Sequence, residues 1–239
     1  MLQKMDGVIH PTAVGYTLRR LAAECANRHV IDRRSSELNP IQVGVGVSGG
    51  VEAAVHSIHR FVDNMPDDHI FLKLDFVNAF NSVRRDTSLE STANNIPELY
   101  KFVFASHSCE ANLLFGEHIV LSREGSQQGD PLSEVAFCDA IHPTLLSCNT
   151  RTKLAYMNDV KLECQVRIVA ADAQKIINAY SKTGLRLNPS KCEIVRSNFD
   201  VIKNNPVLDG FKKVEKEDLN LLGSPVIKVQ RSIKHWTTR

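Results

Sequence analysis

The chain has 239 residues, of which 43% are hydrophobic, so it is long enough to bury one large core or two small ones. Its formal charge of +2 is too small to indicate nucleic-acid binding by itself. The six cysteines form no Cys-x-x-Cys pair, so neither a zinc site nor a disulfide framework is indicated. Without a signal-peptide pattern or a run of about 18 apolar residues, we expect a soluble intracellular protein with no membrane segment.

Basic residues concentrate in two parts of the chain. Five arginines lie within residues 19–34, and lysines and arginines recur through residues 212–239. Such clusters are usually solvated faces, but a polyanion could lie across them.

The N-terminal quarter predicts two helices. Apolar residues at helical spacing predict the first from about Leu18 to Ile31, with Leu18 and Leu21 on its buried face and the arginines on the other. The second is predicted from Val51 to Met65.

The loop between these helices, Gly44 to Gly50, matches a dinucleotide-binding fingerprint, because its glycines precede a helix and an acid ends the next strand. Two features count against an oxidoreductase. The strand before the glycines is very short, and the acid lies beyond the usual spacing of about 20 residues. This function stays open as a distant alternative.

The central feature is an apolar run from Ile70 that ends on Asp75 and continues into a helix-like segment. This pattern predicts a buried strand with Asp75 exposed at its carboxyl end, where α/β proteins gather ligands. The structural alternative is a helix N-cap, which stabilises a helix by about 1 kcal/mol. The motifs farther along favour the functional interpretation.

The middle of the chain predicts helices from Arg85 to about Ser106, with Pro97 starting a new one, and then a β-hairpin around Gly116-Glu117. After it comes the run Gln127-Gln128-Gly129-Asp130-Pro131. Asp130 is predicted as an N-cap and Pro131 as the first residue of a helix that ends near Pro143. Capping does not explain the two glutamines.

A second hairpin is predicted from strands Lys153–Met157 and Val160–Cys164, with Asn158-Asp159 as its turn. A helix from Gln165 to Lys182 and further short strands follow. This order predicts an α+β sheet with helices on one face.

Five motifs therefore occur in a fixed order, and together they resemble the palm motifs of reverse transcriptases, most closely those of non-LTR (LINE-type) retrotransposons. They are Leu74-Asp75-Phe76-Val77-Asn78-Ala79-Phe80, Gln127-Gln128-Gly129-Asp130-Pro131-Leu132, Tyr156-Met157-Asn158-Asp159-Val160, Gly184-Leu185-Arg186-Leu187-Asn188-Pro189-Ser190-Lys191-Cys192 and Leu221-Leu222-Gly223-Ser224-Pro225.

The resemblance implies an α+β polymerase right-hand fold. A fingers-like segment would span residues 1–66 and a palm with an antiparallel sheet residues 67–227. Residues 228–239 would form a basic C-terminal tail, the start of a thumb that is largely absent.

The resemblance also implies two-metal nucleotidyl transfer by an RNA-directed DNA polymerase, with an RNA template, a DNA primer and deoxynucleoside triphosphates as partners. Asp75 and Asp159 would be catalytic ligands of two Mg²⁺ ions, assisted by the backbone carbonyl of Phe76. Lys191 would protonate the pyrophosphate.

The substrate residues follow from the same resemblance. Phe80 would be the steric gate that excludes a ribose 2′-hydroxyl. Gln128 and Gly129 would line the nucleotide pocket and the template strand.

Two departures from the family pattern predict an impaired enzyme. Asn158 stands where the family has a first aspartate, which removes one anionic ligand. His10-Pro11 stands where the family has an arginine that binds triphosphate. A noncatalytic nucleic-acid-binding remnant of the same fold is the alternative.

Overall fold

The computed structural model describes residues 2–3, 9–10, 15–127, 129–196, 199–202 and 205–225. Of the predicted residues, Pro11, Gln128 and the tail at 228–239 lie outside this part of the chain. The helices are α1 (Thr17–Leu38), α2 (Gly50–Asp63), α3 (Ala79–Ser82), α4 (Arg85–Asn95), α5 (Pro97–His107), α6 (Ser133–Leu146) and α7 (Val166–Lys182). The strands are β1 (Leu2–Gln3), β2 (Ile9–His10), β3 (His69–Leu74), β4 (Ala111–Phe115), β5 (His118–Ser122), β6 (Thr152–Tyr156), β7 (Asp159–Gln165), β8 (Glu193–Val195), β9 (Lys212–Val214), β10 (Asn220–Leu221) and β11 (Ser224–Pro225).

The main sheet has five strands in the order β6, β7, β3, β8, β9. Its neighbours are antiparallel except for β8 and β9, which are parallel. The predicted apolar strand β3 therefore lies at the centre, and the predicted α+β class with an antiparallel-dominated sheet is confirmed.

Both faces of this sheet are covered. Alternate residues of β3, namely Ile70, Leu72 and Leu74, belong to the larger core, which includes residues of α6 and α7. Phe71 points to the other face, where it joins Ile58 of α2. The prediction of helices on one face only is wrong. Because β3 carries apolar side chains on both faces of the sheet, helices have to pack against both faces.

Helix α1 is longer than predicted and buries a different face. Leu18 and Leu21 are 63% and 60% exposed, whereas Ala23, Val30 and Arg34 are buried. The predicted face is wrong because the guanidinium of Arg34 binds the buried carboxylate of Asp139 in α6, which turns the side of the helix that carries Arg34 inward. A buried charge requires such a partner.

The basic cluster of α1 is largely neutralised. Four of its five arginines form ion pairs with acids. These pairs are Arg19–Asp130, Arg28–Glu24, Arg33–Glu98 and Arg34–Asp139. This helix therefore does not offer five unpaired cations to a polyanion.

Helix α6 begins and ends later than predicted. Its N-cap is Leu132, and Asp130 accepts a hydrogen bond from the Leu132 N–H at 3.0 Å while also binding Arg19. The helix continues through Pro143, and Leu145 beyond the proline is fully buried. Burial of this last turn outweighs the missing N–H of Pro143.

The remaining predicted elements are confirmed with small shifts. Helix α5 begins at Pro97, and β4 and β5 form the predicted hairpin. Of the further short strands expected after the helix that ends at Lys182, the one expected at 185–187 is reduced to one bridge between Leu187 and Phe76. Across the described ranges, the helices are too short or too polar to cross a bilayer.

Candidate functional site

The two predicted catalytic aspartates lie side by side at one end of the sheet. Antiparallel pairing of β3 with β7 ends at Leu74 opposite Val160, so the next residues along, Asp75 and Asp159, face each other. Directly opposed residues of neighbouring strands have Cβ atoms about 5 Å apart. Two carboxylates separated by 84 residues of chain are thus brought together by strand register.

Asp75 is half-buried rather than fully exposed. Burial raises its pKa, and the neighbouring charge of Asp159 acts in the same direction. The amide of Asn188 and the ammonium groups of Lys191 and Lys73 oppose this rise. The net result is a pKa above the usual value for aspartate, so this environment is less favourable to the ionised form of Asp75 than water is.

The turn after Leu187 holds Asp75 in place. The Asn188 side-chain amide donates to Asp75 Oδ2 at 3.1 Å, and the Asn188 backbone N–H donates to the Asp75 carbonyl at 2.9 Å. The backbone N–H of Asp75 donates to Cys192 Sγ at 3.4 Å. Burial raises the pKa of Cys192 to about 11, so this group stays a thiol at neutral pH. Lys191 is exposed on the same turn.

The turn of the second hairpin is shifted by one residue from its predicted position. It consists of Met157 and Asn158, Asp159 already belongs to β7 opposite Tyr156, and Met157 rather than Asn158 has a positive φ of 53°. The prediction of an Asn158-Asp159 turn is wrong, because strand pairing and a contact from another segment set the turn.

That contact comes from Gln42, a residue which the sequence interpretation missed. Its amide donates to the Met157 carbonyl at 3.0 Å, and its carbonyl oxygen accepts from the Met157 N–H at 3.0 Å. Gln42 is fully buried. Its only signal in the sequence is a polar residue between Ile41 and Val43, and a buried polar side chain needs partners.

Asp159 is bound by a lysine that the sequence interpretation also missed. Lys161, two residues along β7, places its Nζ 2.8 Å from Asp159 Oδ2 and donates to the Asp159 carbonyl at 3.0 Å. The Lys161 side chain is only 1% exposed. Burial lowers its pKa, and Asp159 opposes that change.

Phe76 and Phe80 line the base of the site. Phe76 is buried against Tyr180, with ring centroids 5.1 Å apart, and Phe80 stacks on Phe137 at 4.4 Å. Most of the Phe80 ring is therefore part of the core. The predicted role of Phe80 as a steric gate stays a prediction.

The glycine-containing loop before α6 lies against α3. Ser126 N–H donates to the Phe80 carbonyl at 2.7 Å, and a Cβ on Gly125 would come within 2.4 Å of the Asn81 backbone. Gly129 is exposed with a φ of 98°, which suits glycine alone among the common residues. The loop and α3 thus lie in direct contact.

A cavity of about 1330 Å³ opens next to this loop, between α1, α5 and the β4–β5 hairpin. Asn81, which follows Phe80, and Gln127, which precedes Gln128, form part of its wall together with Arg19. Asp75 and Asp159 do not line it. The cavity and the carboxylates are therefore separate features.

Comparison with known proteins fixes the family. A family model described as reverse transcriptase (RNA-dependent DNA polymerase) matches residues 11–226. The chain belongs to the reverse transcriptase family. A search of curated proteins found no match.

Solved structures support the same fold. Apo telomerase from Candida tropicalis superposes with a TM-score of 0.55 at 11% identity, over 74% of this chain and 37% of that one. The Candida tropicalis telomerase in complex with a fragment of telomeric RNA gives 0.50 at 15% identity, over 77% and 34%. The chain thus spans little more than a third of these telomerase chains. At such identities the likeness shows the right-hand polymerase fold alone.

Polymerases of this family depend on divalent metal ions in general, so the donor set of this reverse transcriptase is informative. Within the described residues, no group of three or more His, Cys, Asp or Glu side chains could hold a metal ion. Asp75 and Asp159 provide two carboxylates, and Lys161 already occupies the second. Mg²⁺ is usually held by one or two carboxylates together with water and substrate phosphates. Asp75 and Asp159 match that donor set, but the Lys161 ammonium competes with a metal ion for Asp159.

Proposed function

We propose that this chain is the reverse transcriptase domain of a non-LTR (LINE-type) retroelement, with impaired nucleotidyl transfer. The observation that carries the proposal is the opposition of Asp75 and Asp159 across β3 and β7, in a chain of this family. Impairment is proposed because Asn158 contributes no charge beside them. The loss of one partner of a metal site typically costs about 10–100-fold in affinity or activity.

The proposal assigns a role to each part of the chain and to the residues of the site. Residues 1–66 would act as fingers and residues 67–227 as palm. Asp75 and Asp159, with the carbonyl of Phe76, would face Mg²⁺, and Lys191 would act on the leaving pyrophosphate. The position of Lys191 next to Asp75, whose pKa it lowers, is compatible with that role.

The proposed substrate residues lie around α3 and the loop before α6. Phe80, Gln128 and Gly129 would bind the incoming nucleotide. The contact between Ser126 and Phe80 supports this grouping, because it places the loop beside the phenylalanine. The proposed partners are an RNA template, a DNA primer and deoxynucleoside triphosphates.

The alternative, a noncatalytic nucleic-acid-binding remnant, rests on the uncharged Asn158 and on the Lys161 ammonium that binds Asp159. Both functions require the chain to bind nucleic acid. Binding of an RNA–DNA hybrid should weaken linearly on a logarithmic plot against salt concentration, with a slope set by the number of phosphates contacted. A filter-binding titration from about 50 to 200 mM salt checks this. The absence of salt-dependent affinity would contradict both functions.

A further inference from the structure

Lys161 is an unusual residue for its position. It lies in the middle of β7, between the buried Val160 and Leu162, and its side chain points to the sheet face that α2 covers. Leu154 of β6 and Lys73 of β3 are its cross-strand neighbours. A buried ammonium is costly unless an anion compensates it. Asp159 is the anion that Lys161 contacts.

Lys73, the lysine opposite Lys161, does not have this role. Its ammonium binds Glu193 Oε2 at 3.1 Å, on the far side from Asp159. Farther along the same face, Glu163 binds His69 at 2.6 Å and Thr152 at 3.0 Å. Lys73 and Glu163 are thus bound by other residues of this face, whereas Lys161 is bound by Asp159.

We infer that Lys161 is a built-in counter-cation of Asp159, which holds this carboxylate in place of a divalent metal ion. The inference concerns a second obstacle to metal binding, independent of Asn158. Asp159 Oδ2, one of the two oxygens through which this carboxylate could bind a metal ion, lies 2.8 Å from the Lys161 ammonium nitrogen. The Lys161 ammonium offsets one of the two carboxylate charges that a dication would meet, and the ammonium groups of Lys191 and Lys73 also act on Asp75.

Restoring the missing aspartate would therefore restore only part of the metal affinity. A metal ion that binds Asp159 through Oδ2 has to displace an ammonium that is covalently tethered two residues away and is only 1% exposed. Replacing Lys161 by an apolar side chain of similar length removes the competitor. Methionine suits this position because it is flexible and fills irregular apolar space.

The test is a titration with Mn²⁺, used as a spectroscopic substitute for Mg²⁺, followed by electron paramagnetic resonance without nucleic acid. We expect Lys161→Met to raise the Mn²⁺ affinity by about 10-fold or more. The matched control is Lys73→Met, which removes the same charge from the opposite residue and should change the affinity by less than about 3-fold. Adding Asp159→Asn to Lys161→Met should abolish the gain.

Two results would overturn the inference. One is an unchanged affinity in folded Lys161→Met protein, and the other is an equal gain in Lys73→Met. If Lys161→Met fails to give a cooperative melting transition, Lys161→Gln, which keeps a polar end without the charge, takes its place under the same criteria. Because the titration contains no nucleic acid, its failure leaves the proposed function to be judged by hybrid binding alone.

Discussion

The pairing of Lys161 with Asp159 makes an unusual prediction about stability. In a site where two carboxylates merely face each other, removing one relieves repulsion and should not destabilise the fold. Here Asp159→Ala would leave the Lys161 ammonium buried without its anion. Losing one partner of a buried ion pair costs about 3–5 kcal/mol.

The structure predicts that Asp159→Ala lowers the free energy of unfolding by an amount near the lower end of this range. The Asp159 side chain is 22% exposed and the Asp159 carbonyl remains as a partner of Lys161, so we expect about 3 kcal/mol. For a chain of 239 residues, about 1 kcal/mol corresponds to roughly 2–4 °C, which predicts a melting temperature lower by about 6–12 °C. Asp75→Ala, the matched control, should cost less than about 1 kcal/mol, because Asp75 compensates no buried cation.

A double-mutant cycle by urea unfolding in the presence of a chelator measures the coupling. Asp159→Ala combined with Lys161→Met should recover at least about 2 kcal/mol relative to the sum of the single changes. A coupling below about 0.5 kcal/mol, or an Asp159→Ala protein as stable as the unaltered chain, would refute the assigned pairing.

Two further predictions concern His142 and Gln42. Burial lowers the pKa of His142, so its contribution to stability is complete above about pH 6.5, the unfolded-state value, and is lost as the pH falls towards the lower folded-state value. His142→Leu should therefore reduce the fall in melting temperature between pH 7.5 and 5.5, and an unchanged fall would contradict the assignment. Gln42→Ala leaves both backbone groups of Met157 without their partner and should cost about 2 kcal/mol in urea unfolding. Gln42→Glu buries a carboxylate beside the Met157 carbonyl and should cost at least as much at neutral pH, and a smaller loss than that of Gln42→Ala would argue against a two-bond clamp.

The sequence predicts the site better than it predicts the packing around it. The order of the motifs brings Asp75 and Asp159 together because both lie at ends of strands whose apolar patterns are local and strong. Helix α1 shows the opposite case. Its buried face depends on the ion pair between Arg34 and Asp139. The spacing of apolar residues within the helix cannot predict a contact between residues so far apart in the chain.

The hairpin turn and Lys161 illustrate the same limit. Asn158 and Asp159 have the better local preference for a turn, but Gln42 fixes the turn at Met157 from a distant segment. In β7, the alternation Val160-Lys161-Leu162-Glu163 predicts a solvent face for the lysine. Because α2 covers that face, Lys161 is buried and reaches Asp159 instead.

We propose that this chain of the reverse transcriptase family is disabled at its metal site. Mg²⁺-dependent primer extension on an RNA template tests it most directly, with four proteins compared: the unaltered chain, Asn158→Asp, Asn158→Asp with Lys161→Met, and the last combination with Asp75→Ala added. We predict that extension is strongest with Asn158→Asp and Lys161→Met together, and that the unaltered chain and the variant with Asp75→Ala do not extend. Extension by the unaltered chain, or none by the doubly changed protein, would contradict the account.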